Sequence, residues 1–358
     1  MSSGPDRVGL APPPAAFLPR PAGEVASTAS RRGCSGAFNA PSASSADSSS
    51  AGRGSKALSA VETGLSDWFG AEVILTSSGR AALRLAFDAL GLNRYRDRIA
   101  VPPLISACVM EAVIRHGFPV EPGQAAAAEV LYPQYGIPSL RRPDGPVVED
   151  ICHGFFAGPD TGARDWAGHL AVFSLPKAVS TAGMAGGLVV LDPSLAGRLR
   201  AMRDDAPEPI DDRSIWQADA HNGGPALEQV YLRRLLNPRV APEDLAGPPT
   251  DLSGWRVIGA ARASVTARLL DAIPDAWLPN GWRALIAGAL PFGLPLFGPP
   301  ARLADDLAAL GVAAATYRID RARNAAAPDL APALLLPCHH AIPDDTLDAM
   351  VAVLEAAW

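Results

Sequence analysis

Lys177 is one of two lysines in a chain that otherwise carries its positive charge on 29 arginines; the other, Lys56, closes a low-complexity leader. A guanidinium replaces an ammonium as a surface cation, but it stays protonated and cannot act as an amine nucleophile. A lysine that forms a Schiff base has to be lysine. Taken alone, Lys177 reads equally as a remnant of codon bias. Three neighbouring features bear on that choice. Asp150 ends the apolar run PVVED, 27 residues before the lysine. Ser77, Ser78, Gly79 and Arg80 join EVILT to the helical pattern AALRLAF, and Ser174 lies three residues before Lys177. An amine, a carboxylate and an anion cradle at a helix start are what pyridoxal 5'-phosphate requires. The amine holds the cofactor, and the carboxylate keeps the pyridine nitrogen protonated so that the ring acts as an electron sink. Backbone N–H groups at the helix start bind the phosphate. Ser78 would serve equally as a plain N-cap with no ligand present.

These groups need elements that bring them to one place. KALSAVETGLSDWFG, AALRLAFDALGL and SACVMEAVIRHG have helical spacing, while EVILT, RIAVPPL, PVEP, PVVED, HLAVFSL and GGLVVLD read as short strands. Such alternation predicts an α/β fold whose mainly parallel mixed sheet is flanked by helices. In such sheets ligands sit at the carboxyl ends of strands, where Ser78, Asp150, Ser174 and Lys177 fall. Gly183, Gly186 and Gly187 permit a tight return into LVVLD. Further on, WRVIGAARASVTARLLDAI and ARLADDLAALGV read as helices and DDTLDAMVAVLEAAW as a C-terminal helix. ALIAGALPFGLP, AATYRI and LLLP read as strands, which gives a small C-terminal α+β domain. The expected organisation is a disordered leader (1–55), a cofactor-binding large domain (56–205), an irregular connecting or dimer region (206–254) and the small domain (255–358).

The composition excludes several classes. A net charge of −6 with no Lys/Arg-rich run argues against a nucleic-acid surface. No apolar run reaches membrane-spanning length, so no membrane is expected. Four scattered cysteines without paired spacing fit reduced thiols in the cytoplasm. Residues 1–56 hold six basic and three acidic side chains. That balance resembles a transit peptide, but the prolines break any amphipathic helix, and the expectation is a disordered tail or an over-long translation start.

The order SSGRAAL, VPP, VEDICH, FSLPK, GMAGG resembles the fold-type-I aminotransferases, and most of all the DegT-type family that aminates keto-sugars and related precursors. LADDLAALGV and LLLPCHHAIPDDTLDAMVAVL resemble that family's small-domain pattern. The resemblance implies a pyridoxal-phosphate-dependent aminotransferase. Lys177 matches its Schiff-base lysine and Asp150 its pyridinium partner. His153 matches the residue near the ring and its 3'-oxygen, and Ser174 with Ser78, Gly79 and Arg80 matches the phosphate contacts. The catalytic pair is then Lys177 and Asp150, with no metal. The partners are a small amino donor and a keto or aldehyde acceptor, and the assembly is a homodimer with shared sites. The chain departs from the pattern in three places. Serine and lysine are three residues apart instead of five, and VPPLISA offers Ser106 or aliphatics where the family stacks an aromatic. No Gly-x-Asn-x-Arg stretch appears, which leaves Asn222 or Arg233 to reach a partner's phosphate.

Among single residues, Tyr132 and Tyr135 occupy the loop that faces substrate in the resembled family. His339 and His340 read as loop residues, with no third ligand to make them a metal site. Cys152 reads as a buried small hydrophobe, and Trp166 and Phe173 as core. Asp244 and Asp251 read as solvated turns. Two other functions are consistent with the sequence: a pyridoxal-phosphate lyase, dehydratase or racemase, and a non-catalytic regulatory protein on the same fold.

Overall fold

A computed structural model of the protein describes residues 49–157, 166, 168–209, 211–212, 214–215 and 225–358. The chain forms α1 (Ser49–Phe69), β1 (Glu72–Thr76), α2 (Gly79–Ala89), β2 (Arg98–Ala100), α3 (Ala107–His116), β3 (Phe118–Val120), β4 (Ala128–Leu131), β5 (Val147–Asp150) and β6 (Leu170–Ser174). A short turn of helix, α4 (Leu175–Ala178), leads to β7 (Gly186–Val190) and α5 (Ala196–Asp204). After these come α6 (Pro225–Leu236), α7 (Leu252–Ala272), α8 (Trp282–Ala289), β8 (Gly293–Leu296), α9 (Leu303–Ala309), β9 (Ala315–Asp320), β10 (Leu330–Pro337) and α10 (Asp344–Ala356).

Seven strands make the large sheet in the order β1-β7-β6-β5-β4-β2-β3. All neighbours are parallel except those of β7, which pairs antiparallel with both β1 and β6. Successive residues of each central strand feed opposite faces. Ile74, Val172 and Leu188 join the core under α2, α3 and α5, whereas Val73, Leu75, Phe173 and Val189 join the core under α1 and α7. Burial on both faces is why these strands read as continuous apolar runs. The second sheet, β8-β10-β9, is antiparallel and has its own core.

Helix α7 belongs to both cores. Trp255 near its start packs with Trp68 and Phe155, while Val265, Leu269 and Leu270 pack with the small sheet. One helix therefore ties the two sheets together across the predicted division at 254/255. α1 begins at Ser49, inside the predicted leader, and the 206–254 stretch contains α6.

Two elements differ from expectation. The run ALIAGALPFGLP begins in α8, where Trp282, Ile286 and Ala289 are buried at helical spacing, and only its end is strand β8. A short apolar run does not distinguish a buried helix from a strand by pattern alone. β4 was not foreseen: its sequence AEVL has no alternation, because all four residues are buried.

Candidate active site

The in-register ends of three strands build the floor of the site. Thr76 on β1 pairs with Gly186 on β7, and Gly186 pairs with Ser174 on β6. One strand further, Asp150 on β5 pairs with Val172. Paired residues 12 to 110 positions apart in sequence thereby share one sheet edge. Close packing at this edge depends on glycine. A Cβ on Gly186 would lie 2.6 Å from the Phe173 carbonyl oxygen, and one on Gly79 would lie 3.3 Å from Ser174 Cβ and 3.4 Å from Cys152 Sγ.

Ser78 is the N-cap of α2, and its hydroxyl accepts the Ala81 N–H at 3.2 Å. The N–H groups of Gly79 and Arg80 have no protein acceptor among the described residues, so two donors at the positive end of the helix remain for an anion. The Arg80 guanidinium lies over the Tyr231 ring, 3.9 Å from its centre; its side chain is engaged with α6. Ser77 contributes structurally: its N–H donates to Pro238 O at 2.9 Å and its hydroxyl to Arg234 O at 3.0 Å.

Lys177 sits in α4 and is half-buried. Its Nζ is 3.1 Å from His153 Nε2, and Tyr132 Oη is 3.2 Å from His153 Nδ1. Burial, followed by the Lys177 charge, pushes the His153 pKa well below its ordinary value, so the ring is neutral. With Lys177 as ammonium, Nε2 accepts from it and Nδ1–H donates to the Tyr132 oxygen. The His153 ring is closely enclosed. Tyr135 stacks on it with centroids 5.4 Å apart and planes within 5°, and Phe292 lies 4.9 Å away at 35°. Tyr135 holds a left-handed backbone (φ 53°), uncommon for a bulky residue, and its carbonyl accepts the Phe292 N–H at 2.9 Å.

Asp150 is 3% exposed. Its Oδ1 accepts the Cys152 N–H at 3.1 Å. Burial and then the Asp150 charge push the Cys152 thiol well above its usual range, so it stays protonated. Among the described residues, no arginine, lysine or histidine forms an ion pair with Asp150. An uncompensated buried carboxylate costs several kcal/mol, of order 3–5 when a partner is missing.

The structure thus gathers Lys177, Asp150, His153, Ser174, Ser78 and Gly79 at one edge. Tyr132 and Tyr135, anticipated as substrate contacts, are both used to hold His153. Phe292, which sequence reading missed, carries no motif and reaches the site from between α8 and β8. Gly183 serves a different purpose from a turn: a Cβ there would lie 2.7 Å from Asp244 Cγ, so glycine admits that carboxylate. Asp244 itself, expected in a solvated turn, is fully buried and paired with Arg234, which also binds the buried Asp212. Asp251, by contrast, is an exposed N-cap of α7. His339 and His340 follow β10 but pack inward, with His339 8% exposed. No group of three metal-ligating side chains occurs among the described residues. Asn222 lies outside the described residues. No described helix is long and apolar enough to cross a membrane.

Beside Tyr132 an open cleft runs between Pro102 and Pro103, just after β2, and Ile319 and Arg323, at the end of β9 and just after it.

No family model matches the sequence and no curated protein matches it. Solved structures do match. NtdA from Bacillus subtilis, solved with bound PMP, is 17% identical with a TM-score of 0.59, over 84% of this chain and 77% of its own. DesI, solved in the presence of its TDP-sugar product, is 17% identical with a TM-score of 0.57 over 84% of each chain. A DegT DnrJ EryC1 StrS aminotransferase from Brucella abortus is 17% identical with a TM-score of 0.54, over 86% of this chain and 95% of its own. At such identities the likeness is one of fold, and this chain has the fold of these aminotransferases, across both its sheets.

Proposed function

We propose that this chain is a pyridoxal-phosphate-dependent aminotransferase that moves an amino group from an amino-acid donor to a keto or aldehyde acceptor, such as a keto-sugar or secondary-metabolite precursor. One observation carries the reading. Asp150 is a buried carboxylate without a cationic partner among the described residues, on the same sheet edge as Lys177. A protonated pyridine nitrogen is the partner that such a carboxylate lacks. The remaining groups fit the same ligand: two free N–H donors and the Ser174 hydroxyl suit the phosphate, and the Lys177 amine suits the aldehyde.

When bound, the cofactor supplies an electron sink for bonds at the substrate α-carbon. The chain's own residues do the rest. Lys177 would hold the cofactor through its amine and would serve as the general base that moves a proton at the substrate carbons. His153 is neutral and hydrogen-bonded to Nζ, so it fixes the direction of the amine and accepts from its charged form. Tyr132 fixes the His153 tautomer from the other side. Asp150, a buried carboxylate, would favour a protonated ring nitrogen. The Tyr135–His153–Phe292 stack excludes water from that side, and the cleft at Tyr132 and Arg323 admits the substrate. Residues 56–205 and 255–358 act as large and small domains, in the cytoplasm. A symmetric dimer completes the phosphate site, with Arg233, exposed beside the Ser77 turn, available to a partner; light scattering of the loaded protein tests this, a monomer being the adverse result. The cofactor reading is tested by borohydride reduction and peptide mapping. Labelling of Lys177 is expected; label on Lys56 or on no lysine rejects it.

A further inference from the structure

Behind the site, Arg262 of α7 is 2% exposed and faces no acid among the described residues. Its Nη2 donates to Pro291 O at 2.7 Å, and its guanidinium carbon lies 5.1 Å from the Phe156 ring centre. Its Nε and Nη1 have no partner among the described residues. The turn after β10 adds a further donor. His339 Nδ1 accepts the Ala341 N–H at 3.1 Å, so in the neutral ring the proton is on Nε2, which is also buried without a hydrogen bond. The Ala178 carbonyl lies near this ring but outside hydrogen-bond geometry. His340 stacks on His339 with centroids 4.1 Å apart, lies 6.0 Å from Phe156, and has an unpartnered Nδ1. Cys338 does not supply the missing charge. Burial outweighs the nearby Arg262 and keeps it a thiol, which donates to Pro291 O at 3.1 Å.

We propose that Arg262, His339 and His340 form a buried binding site for a small inorganic monoanion of the chloride class. Three N–H donors and one fixed positive charge meet only neutral acceptors among the described residues: the Pro291 carbonyl, the Cys338 sulfur and the Thr266 hydroxyl. A surplus of donors with positive charge calls for an anion, since buried polar groups are otherwise hydrogen-bonded. The near-complete burial of Arg262 and His339 selects an ion over a metabolite. One positive charge, with both imidazoles neutral, selects a single negative one. The site sits one layer behind the catalytic edge. His339 neighbours Ala178, next to Lys177, and Arg262 holds the Pro291 carbonyl, next to the Phe292 that packs on His153. The ion would therefore fix two supports of the site. The proposal does not depend on the cofactor reading.

Thermal unfolding of the purified full chain tests it, with sodium chloride replacing sodium gluconate at constant ionic strength. The midpoint should rise with the logarithm of chloride concentration above the dissociation constant, as for any ligand of the folded state. Bromide should act likewise, and Arg262→Gln should remove the dependence. Equal midpoints in chloride and gluconate, as when water alone fills the cluster, overturn the proposal, as does a chloride dependence that survives in Arg262→Gln. Should that variant fail to fold, chloride-35 line widths on the native protein decide. Saturable broadening displaced by bromide supports the site, and its absence rejects it.

Discussion

Asp150 and Asp244 are both aspartates lost from solvent, although the sequence places the first at a strand end and the second in a solvated turn. The structure treats them oppositely. Asp244 is fully buried against Arg234, whose guanidinium also binds Asp212, Met184 O and Ser77 O. That network closes on itself beneath the Ser77 turn. Asp150 is buried almost as deeply but accepts a backbone N–H and meets no cation among the described residues. A buried charge surrounded by partners belongs to the architecture. One left without a cation, beside an amine and a helix start, is poised for a ligand.

The largest expected effect breaks the site. Lys177→Ala and Lys177→Arg should both abolish borohydride-stable cofactor attachment. Both should also lower turnover by at least about 10²–10⁴-fold, the range of general acid–base catalysis, measured as steady-state transamination. Arginine keeps the charge, so activity in that variant would mean that charge alone suffices.

Next, the two aspartates can be set directly against each other by urea unfolding. Arg234→Met leaves Asp212 and Asp244 buried without their cation and should cost about 3–5 kcal/mol. Asp150→Asn should leave the apoprotein at least as stable, because a neutral amide relieves a buried charge, while most turnover is lost. A stability loss in Asp150→Asn comparable to that of Arg234→Met would make Asp150 architectural as well.

Acid should expose a second contrast, among histidines. Burial followed by Arg262 pushes His340 down to about 4 and His339 to about 3, and His153 is also lowered. The unfolded chain takes up these protons near pH 6.5 while the folded chain does not, so the unfolded state binds more protons between about pH 4 and 6.5. Stability should therefore be fully present above about pH 6.5 and fall as pH drops through that window. Urea midpoints at pH 5 and pH 7 check the sign, and His339→Asn should flatten the slope.

The smallest effect concerns Asp251, which sequence reading placed with Asp244. Its carboxylate caps α7 by accepting the Gly254 N–H at 2.8 Å in an exposed position. Asp251→Ala should cost about 1 kcal/mol, well below Arg234→Met, in the same urea assay.

Much of this molecule is legible from residue type and spacing. Lys177 stands out because amine chemistry has no arginine substitute. Asp150, Ser174 and the Ser78–Gly79 turn follow because strand ends in a parallel sheet share an edge. Periodicity likewise yields six of the large sheet's strands and most helices, since burial imposes its own repeat. β4 and α8 escape it because all-buried segments lose their pattern. What only the tertiary structure decides is which polar groups are satisfied. Whether Asp244 meets Arg234, whether Asp150 meets no cation among the described residues, whether Tyr132 and Tyr135 serve His153 instead of solvent, and whether Arg262 keeps donors without a partner among those residues all depend on residues brought together from distant parts of the chain. Spacing along a sequence fixes local geometry, whereas the energy of a buried charge depends on what the fold places within a few ångströms of it.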